Sequence, residues 1–114
     1  MKNRISVSTK DTIYLLDPAD IMYCKCNNST TTLFLKNAES VSVSKGMSAV
    51  EKLLENCGFK DSFIRPHQSY LVNSNHILLV DKTPRYFLVL SNQQKIPVSV
   101  RRRKAIMEII KISN

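Results

Sequence analysis

The chain is predicted to be mainly β with minor α, and three observations carry that expectation. Apolar and polar residues alternate over short stretches such as Arg4 to Ser8 and Ser40 to Ser44, the period of a half-buried strand. Clusters of turn-forming residues cut these stretches at frequent intervals. Helical periodicity is clear only over residues 47–57, where Met47, Val50, Leu53, Leu54 and Cys57 share one face, and again near the end, where Ala105, Ile106, Ile109 and Ile110 do.

In order, residues 4–8 read as a first strand and Thr12 to Leu16 as its hairpin partner across Thr9-Lys10-Asp11. Asp17-Pro18-Ala19-Asp20 breaks the pattern. Residues 21–26 and Thr31 to Lys36 form the next pair, joined by Asn27-Asn28-Ser29-Thr30. By residue type those four small polar residues suit an ordinary hairpin turn before a tip small enough to reach base edges in a groove. Ser40 to Ser44 is a strand with Val41 and Val43 inward. The helix over 47–56 starts either at a Ser48–Glu51 capping box or at Gly46, and Gly58 ends it in the left-handed region. Its outer residues Glu51, Lys52 and Glu55 are mixed in sign and read as a solvated face. Two buried strands follow, His76 to Val80 and Tyr86 to Leu90, then Lys95 to Val98 as a last strand.

The closing helix has Ser99 as its candidate cap and Arg101, Arg102, Arg103 and Lys104 in its first turn. The helix dipole disfavours cations there. A docked anion would remove the conflict, because helix N-terminal amides and guanidinium forks both bind phosphate; the plainer alternative is a solvated charge run.

Charge is distributed unevenly. Lys and Arg number 17 against 9 acidic residues, giving +8. Residues 1–56 hold 7 basic and 6 acidic side chains, whereas residues 57–114 hold 10 and 3. A basic half of this kind faces a polyanion, nucleic acid being the commonest, or is simply a basic surface. The apolar runs are too short for a membrane-spanning helix, and the N-terminus lacks a secretory core, so a cytoplasmic protein is expected. Cys24, Cys26 and Cys57 are odd in number and lack zinc-type spacing. Inert thiols are expected, with no metal and no cofactor, rather than a site shared with His67 or His76. Two histidines, two glycines and no phosphate loop or nucleophile elbow argue against an enzyme.

The stretch from Phe63 to Asn73 resists a simple reading. Neither parity is cleanly apolar, and Pro66 lacks a ladder donor, which suggests two buried ends holding a polar centre at a bend or sheet edge. Phe63, Arg65, His67, Ser69, Val72 and Asn73 resemble the F-x-R-x-H-x-S-x-x-V-N signature of the LytTR family, DNA-binding output domains of bacterial response regulators. Ile96-Pro97-Val98-Ser99 resembles the family's late I-P-V-S, and Ile21-Met22-Tyr23 its early strand pair. The resemblance spans roughly residues 5–112 and treats 1–114 as a single domain.

The resemblance implies an elongated domain of about ten short strands in small antiparallel sheets, with one or two helices. It implies double-stranded DNA as partner, with loops entering successive major grooves, commonly at tandem repeats, and a second copy on the DNA. A receiver domain in a sensor-kinase, two-component system is also implied; this chain is then either a small self-standing regulator or an output domain alone. By carry-over, the loop Asn28, Ser29, Thr30, the residue after the motif His (Gln68), and Arg101 occupy base-reading positions. Arg65 and His67 hold the central loop or touch phosphate, and Arg102 and Lys104 belong with phosphate. Gln68 departs from a position that is often basic, and Pro66 from one that is usually aliphatic.

An RNA-binding β-rich module is the alternative, but it needs exposed aromatics for stacking. Tyr23, Phe34, Phe63, Tyr86 and Phe87 all lie within apolar stretches. If about five phosphates are neutralised, log K for duplex DNA should fall against log salt with a slope of roughly −4 to −5. Titration from low to moderate salt checks this, and a slope near zero would remove the polyanion reading.

Overall fold

A computed structural model describes residues 4–112. Among the described residues, ten strands form three antiparallel sheets, with two α-helices. β1 (Ile5–Ser8) and β2 (Ile13–Leu16) form a hairpin. β3 (Ile21–Asn27), β4 (Thr30–Leu35), β5 (Ser40–Val43), β6 (Phe63–His67) and β7 (Tyr70–Asn73) build the central sheet in the order β5-β4-β3-β7-β6. β8 (Ile77–Asp81), β9 (Phe87–Leu90) and β10 (Lys95–Pro97) build the third sheet. α1 spans Met47–Asn56 and α2 spans Arg103–Ile112. The principal dimensions, 43 × 33 × 23 Å, are those of an elongated domain.

The middle of the central sheet, at β3, β7 and β6, is buried on both faces. Cys24, Leu33 and Leu71 pack into one core with Ile5 and Val7 of β1 and Met47, Val50 and Leu54 of α1. Tyr23, Ile64 and Val72 pack into a second with Leu88, Leu90, Ile96 and Ile106. This accounts for the unclear parity of residues 63–73: a strand buried on both faces loses the alternation that marks a half-buried one. Phe63 faces the first core and its neighbour Ile64 the second. The stretch is a hairpin about Gln68-Ser69, with buried ends at Phe63, Ile64, Leu71 and Val72 and the exposed Gln68 at the turn. Pro66 is buried in edge strand β6, inside the register break between Ile64 and His67, where a missing N–H breaks no ladder bond.

Several expectations are corrected. Of the two starts offered for α1 the structure has Gly46, a cap without a side chain, and the Ser48–Glu51 box does not form; Glu51 instead meets Arg65 at 2.7 Å and is half-buried rather than solvated. The strand expected over His76 to Val80 is an edge strand beginning at Ile77, with Leu78 and Leu79 exposed at 60% and 48%. His76 lies in a 3-10 turn, Ser74–His76, with its Nε2 3.0 Å from the Ala19 carbonyl. At the C-terminal end, Val100–Arg102 form a separate 3-10 turn and α2 begins at Arg103, so the four cations do not share one α-turn. Ser99 precedes that turn but makes no side-chain cap bond. The buried face of α2 centres on Ile106, with Met107 and Ile110 half-buried, while Ala105 and Ile109 are exposed.

No disulfide joins the cysteines, and burial pushes the Cys24 thiol up to about 12. Tyr23 is also raised, by burial first and by neighbouring Tyr70 second. Asn73 is a polar residue at the heart of the sheet: its Nδ2 donates to the Ile21 carbonyl at 3.1 Å, and its Oδ1 accepts from the Asn75 amide at 3.0 Å.

The end of α1 is a Schellman closure. The Gly58 amide bonds to the Glu55 carbonyl, the Phe59 amide bonds to the Leu54 carbonyl, and Gly58 has φ +84°. An added Cβ at Gly58 meets no atom within 4 Å, so the cost of Gly58→Ala is conformational, about 1–2 kcal/mol. Gly46→Ser, at ordinary φ −75° with equally open space, should instead be neutral or gain roughly 0.3 kcal/mol. Urea denaturation of the two variants checks the contrast.

Candidate nucleic-acid interface

Residues distant in sequence meet at one end of the central sheet. The β6–β7 turn is braced from several directions. Arg65 spreads its fork between two partners, Nη1 donating to Glu51 Oε1 at 2.7 Å and Nη2 to the Gln68 carbonyl at 2.8 Å. His67 Nδ1 accepts from the Ser69 amide at 3.0 Å, which in the neutral ring leaves the proton on Nε2. The His67 ring stands edge-on to Tyr70, centroids 5.6 Å apart. The Gln68–Ser69 peptide is thereby held at its carbonyl and at its amide, and the Gln68 side chain is exposed.

The β3–β4 tip sits beside this turn. The Cys26 amide donates to the Ser69 carbonyl at 2.8 Å, tying the hairpins together, and the Cys26 thiol donates to the Asn28 carbonyl at 3.1 Å. Asn28 takes φ 59°, the left-handed conformation that tight hairpin loops require and asparagine tolerates. Asn28, Ser29 and Thr30 are all exposed. A groove of about 410 Å³ runs between the tips and the start of α1, lined by Cys26, Asn28, Gly46, Ser48, Arg65 and Gln68.

The cationic segment joins from the far side of β6. The Ser99 amide donates to the Pro66 carbonyl at 2.9 Å, and Arg102 Nη1 to the Arg65 carbonyl at 3.2 Å. Arg103 lies over the Tyr86 ring, 4.2 Å from its centroid. Arg101 and Lys104 are exposed. The carried-over positions Asn28 to Thr30, Arg65, His67, Gln68 and Arg102 are thus linked through Cys26, Ser69, Pro66 and Ser99, with Arg101 and Lys104 on the same terminal segment.

Sequence reasoning missed Glu51, the Cys26 bridge and the Arg103–Tyr86 stack. Glu51 is one of three charges on a packing helix, and nothing in its spacing marks it as the partner of Arg65. Tyr23 and Phe34, centroids 4.4 Å apart, stack within the second core rather than forming an open base platform. Among the described residues no helix is long and apolar enough to cross a membrane, and no cluster of His, Cys, Asp and Glu is arranged to hold a metal.

Polar and cationic tips carried on a rigid β scaffold define a β-rich nucleic-acid-binding domain. The family model for the LytTr DNA-binding domain matches residues 11–111, and the chain belongs to that family. The solved LytTr DNA-binding domain of a Bacillus cereus protein described as a methyl-accepting/DNA response regulator is similar, with TM-score 0.77 and 25% identity. That match covers 96% of this chain and 98% of the other. No curated protein matches the chain. The family is one of DNA-binding domains of response regulators, a non-enzymatic kind.

Arg103 and Lys104 are neighbours in sequence but differ in surroundings. Arg103→Ala loses a cation–π contact and the packing of its stem, and should cost about 0.5–2 kcal/mol of stability. Lys104→Ala, at an exposed position, should change stability by less than about 0.5 kcal/mol. Thermal melting of both variants checks this.

Proposed function

We propose that this domain binds double-stranded DNA sequence-specifically as a bacterial transcriptional regulator, reading bases with side chains on loops placed in the major groove. The observation that carries the reading is the tying of the two hairpin tips and the cationic segment to one another, through the Cys26–Ser69 and Ser99–Pro66 backbone bonds. Neither helix offers a polar groove-reading face, so readout falls to the tips. Asn28 and Gln68 carry amides that pair with the N6 and N7 edge of adenine, and Arg101 a guanidinium suited to the O6 and N7 edge of guanine. Ser29 and Thr30 add hydroxyls beside Asn28.

Arg102 and Lys104 serve the phosphates, while Arg65 and His67 hold the turn in shape. Copies of the domain placed on tandem repeats belong to the same reading. Control by a receiver domain and sensor kinase, and action in the cytoplasm where the chromosome lies, complete the reading.

RNA is the other polyanion available to a basic domain. The deep, narrow major groove of A-form RNA would exclude these tips, and single-strand recognition would need the stacking surface that Tyr23 and Phe34 use on each other.

Gln68 and Lys104 should respond differently to truncation. Gln68→Ala should cost about 1–3 kcal/mol on the preferred site and flatten the preference at one base position. Lys104→Ala should weaken all duplexes about equally and reduce the salt slope by about one. Affinities for a panel of single-base-changed duplexes, with an RNA competitor at fixed salt, decide the matter. An unchanged base ranking in Gln68→Ala removes Gln68 as a reader, and preference for the RNA removes the duplex reading.

A further inference from the structure

Building on the proposal that the β6–β7 turn reads bases, we infer that Glu51 is a positioning residue for DNA specificity, which keeps Arg65 off the phosphates and fixes the turn that presents Gln68. A carboxylate beside a surface meant for a polyanion lowers affinity through like-charge repulsion. Glu51 stands there nonetheless, 2.7 Å from the Arg65 guanidinium, both side chains only partly exposed at 32% and 23%. A half-exposed ion pair adds little to stability. Its effect is geometric: a planar fork held at one arm by the carboxylate has its other arm aimed at the Gln68 carbonyl, 2.8 Å away.

The consequence reaches the base-reading side chain through the backbone. The Gln68 carbonyl is held by Arg65, the next amide by His67, and the next carbonyl by the Cys26 amide. The Gln68 side chain then projects from a fixed peptide, and bidentate pairing with a base edge needs placement within roughly 0.5 Å. With the carboxylate neutralised, a guanidinium at the edge of the groove has a stronger anion to meet. It turns to a phosphate, adding sequence-independent affinity and releasing the turn. Glu51 thus exchanges general DNA affinity for discrimination.

The test compares Glu51→Gln with Glu55→Gln, which makes the same charge change at an exposed site on the same helix. Each is measured on the preferred duplex, its single-base variants and a random duplex over a range of salt, with melting temperature monitored. Glu51→Gln should lose about ten-fold on the preferred duplex and flatten the ranking at the position read by Gln68, while binding the random duplex at least as well as wild type. Its salt slope should be steeper than that of Glu55→Gln by about one. The double variant Glu51→Gln/Arg65→Gln should return the slope to the wild-type value and leave the ranking flat. Identical ranking and slope in Glu51→Gln and Glu55→Gln would overturn the role of Glu51. A wild-type protein that binds duplexes without base preference would overturn the reading beneath it.

Discussion

The pairing of β3 with β7 is the constraint on which the rest of the structure depends. Both strands lie inside a sheet covered on its two faces, so Tyr23 and Val72 serve one core while Cys24 and Leu71 serve the other. A slip of one residue would exchange the two sets and misfit both cores, and so the register is strongly specified. Fixing that register carries the two hairpins to a common level at their far ends. The Cys26 amide then meets the Ser69 carbonyl, one step beyond the last paired residues Lys25 and Tyr70. The relative placement of the Asn28 and Gln68 tips therefore follows from hydrophobic packing well removed from either.

Polar residues complete what the cores begin. Asn73 bonds to the carbonyl of Ile21 at the other end of β3, so the motif asparagine locks the start of the same strand whose end carries the β3–β4 tip. Thr31, fully buried, donates to the Lys45 carbonyl at 2.6 Å and anchors the approach to α1. That places Glu51 one helical turn further on, within reach of Arg65. Buried polar groups with partners of this kind restrict the chain to one arrangement more sharply than apolar contacts of similar area.

Much of this was legible in the sequence because local chemistry and tertiary structure agree. The apolar repeat from Met47 to Cys57, with Gly58 beyond it, defines α1, and the alternation of Ser40 to Ser44 marks β5. Legibility failed where a residue answers to distant neighbours. Ser48 and Glu51 carry the spacing of a capping box, but a carboxylate gains more from a guanidinium at 2.7 Å than from a backbone amide, and the guanidinium is 14 positions away. Leu78 and Leu79 look like core residues by type, yet they are exposed on an edge strand. At the candidate site, the family resemblance proposed the three segments; the bonds joining them through Cys26, Ser69, Pro66 and Ser99 could not be read, because backbone partners leave no trace in residue type.

The cation run shows how a local conflict is resolved by dividing it. Four basic residues in one α-turn would oppose the helix dipole. Here Arg101 and Arg102 fall on a preceding 3-10 turn, and α2 proper begins at Arg103. Arg102 is drawn to the Arg65 carbonyl and Arg103 to the Tyr86 ring, which leaves Arg101 and Lys104 exposed. The backbone at Pro66 joins this segment to the sheet. Its carbonyl accepts from Ser99 and thereby docks the whole segment on β6. Its missing N–H would be costly in a central strand, but an edge strand at a register break does not need it. A residue that reads as a strand breaker in isolation is therefore accommodated in the edge strand, and its carbonyl docks the segment that carries the cations.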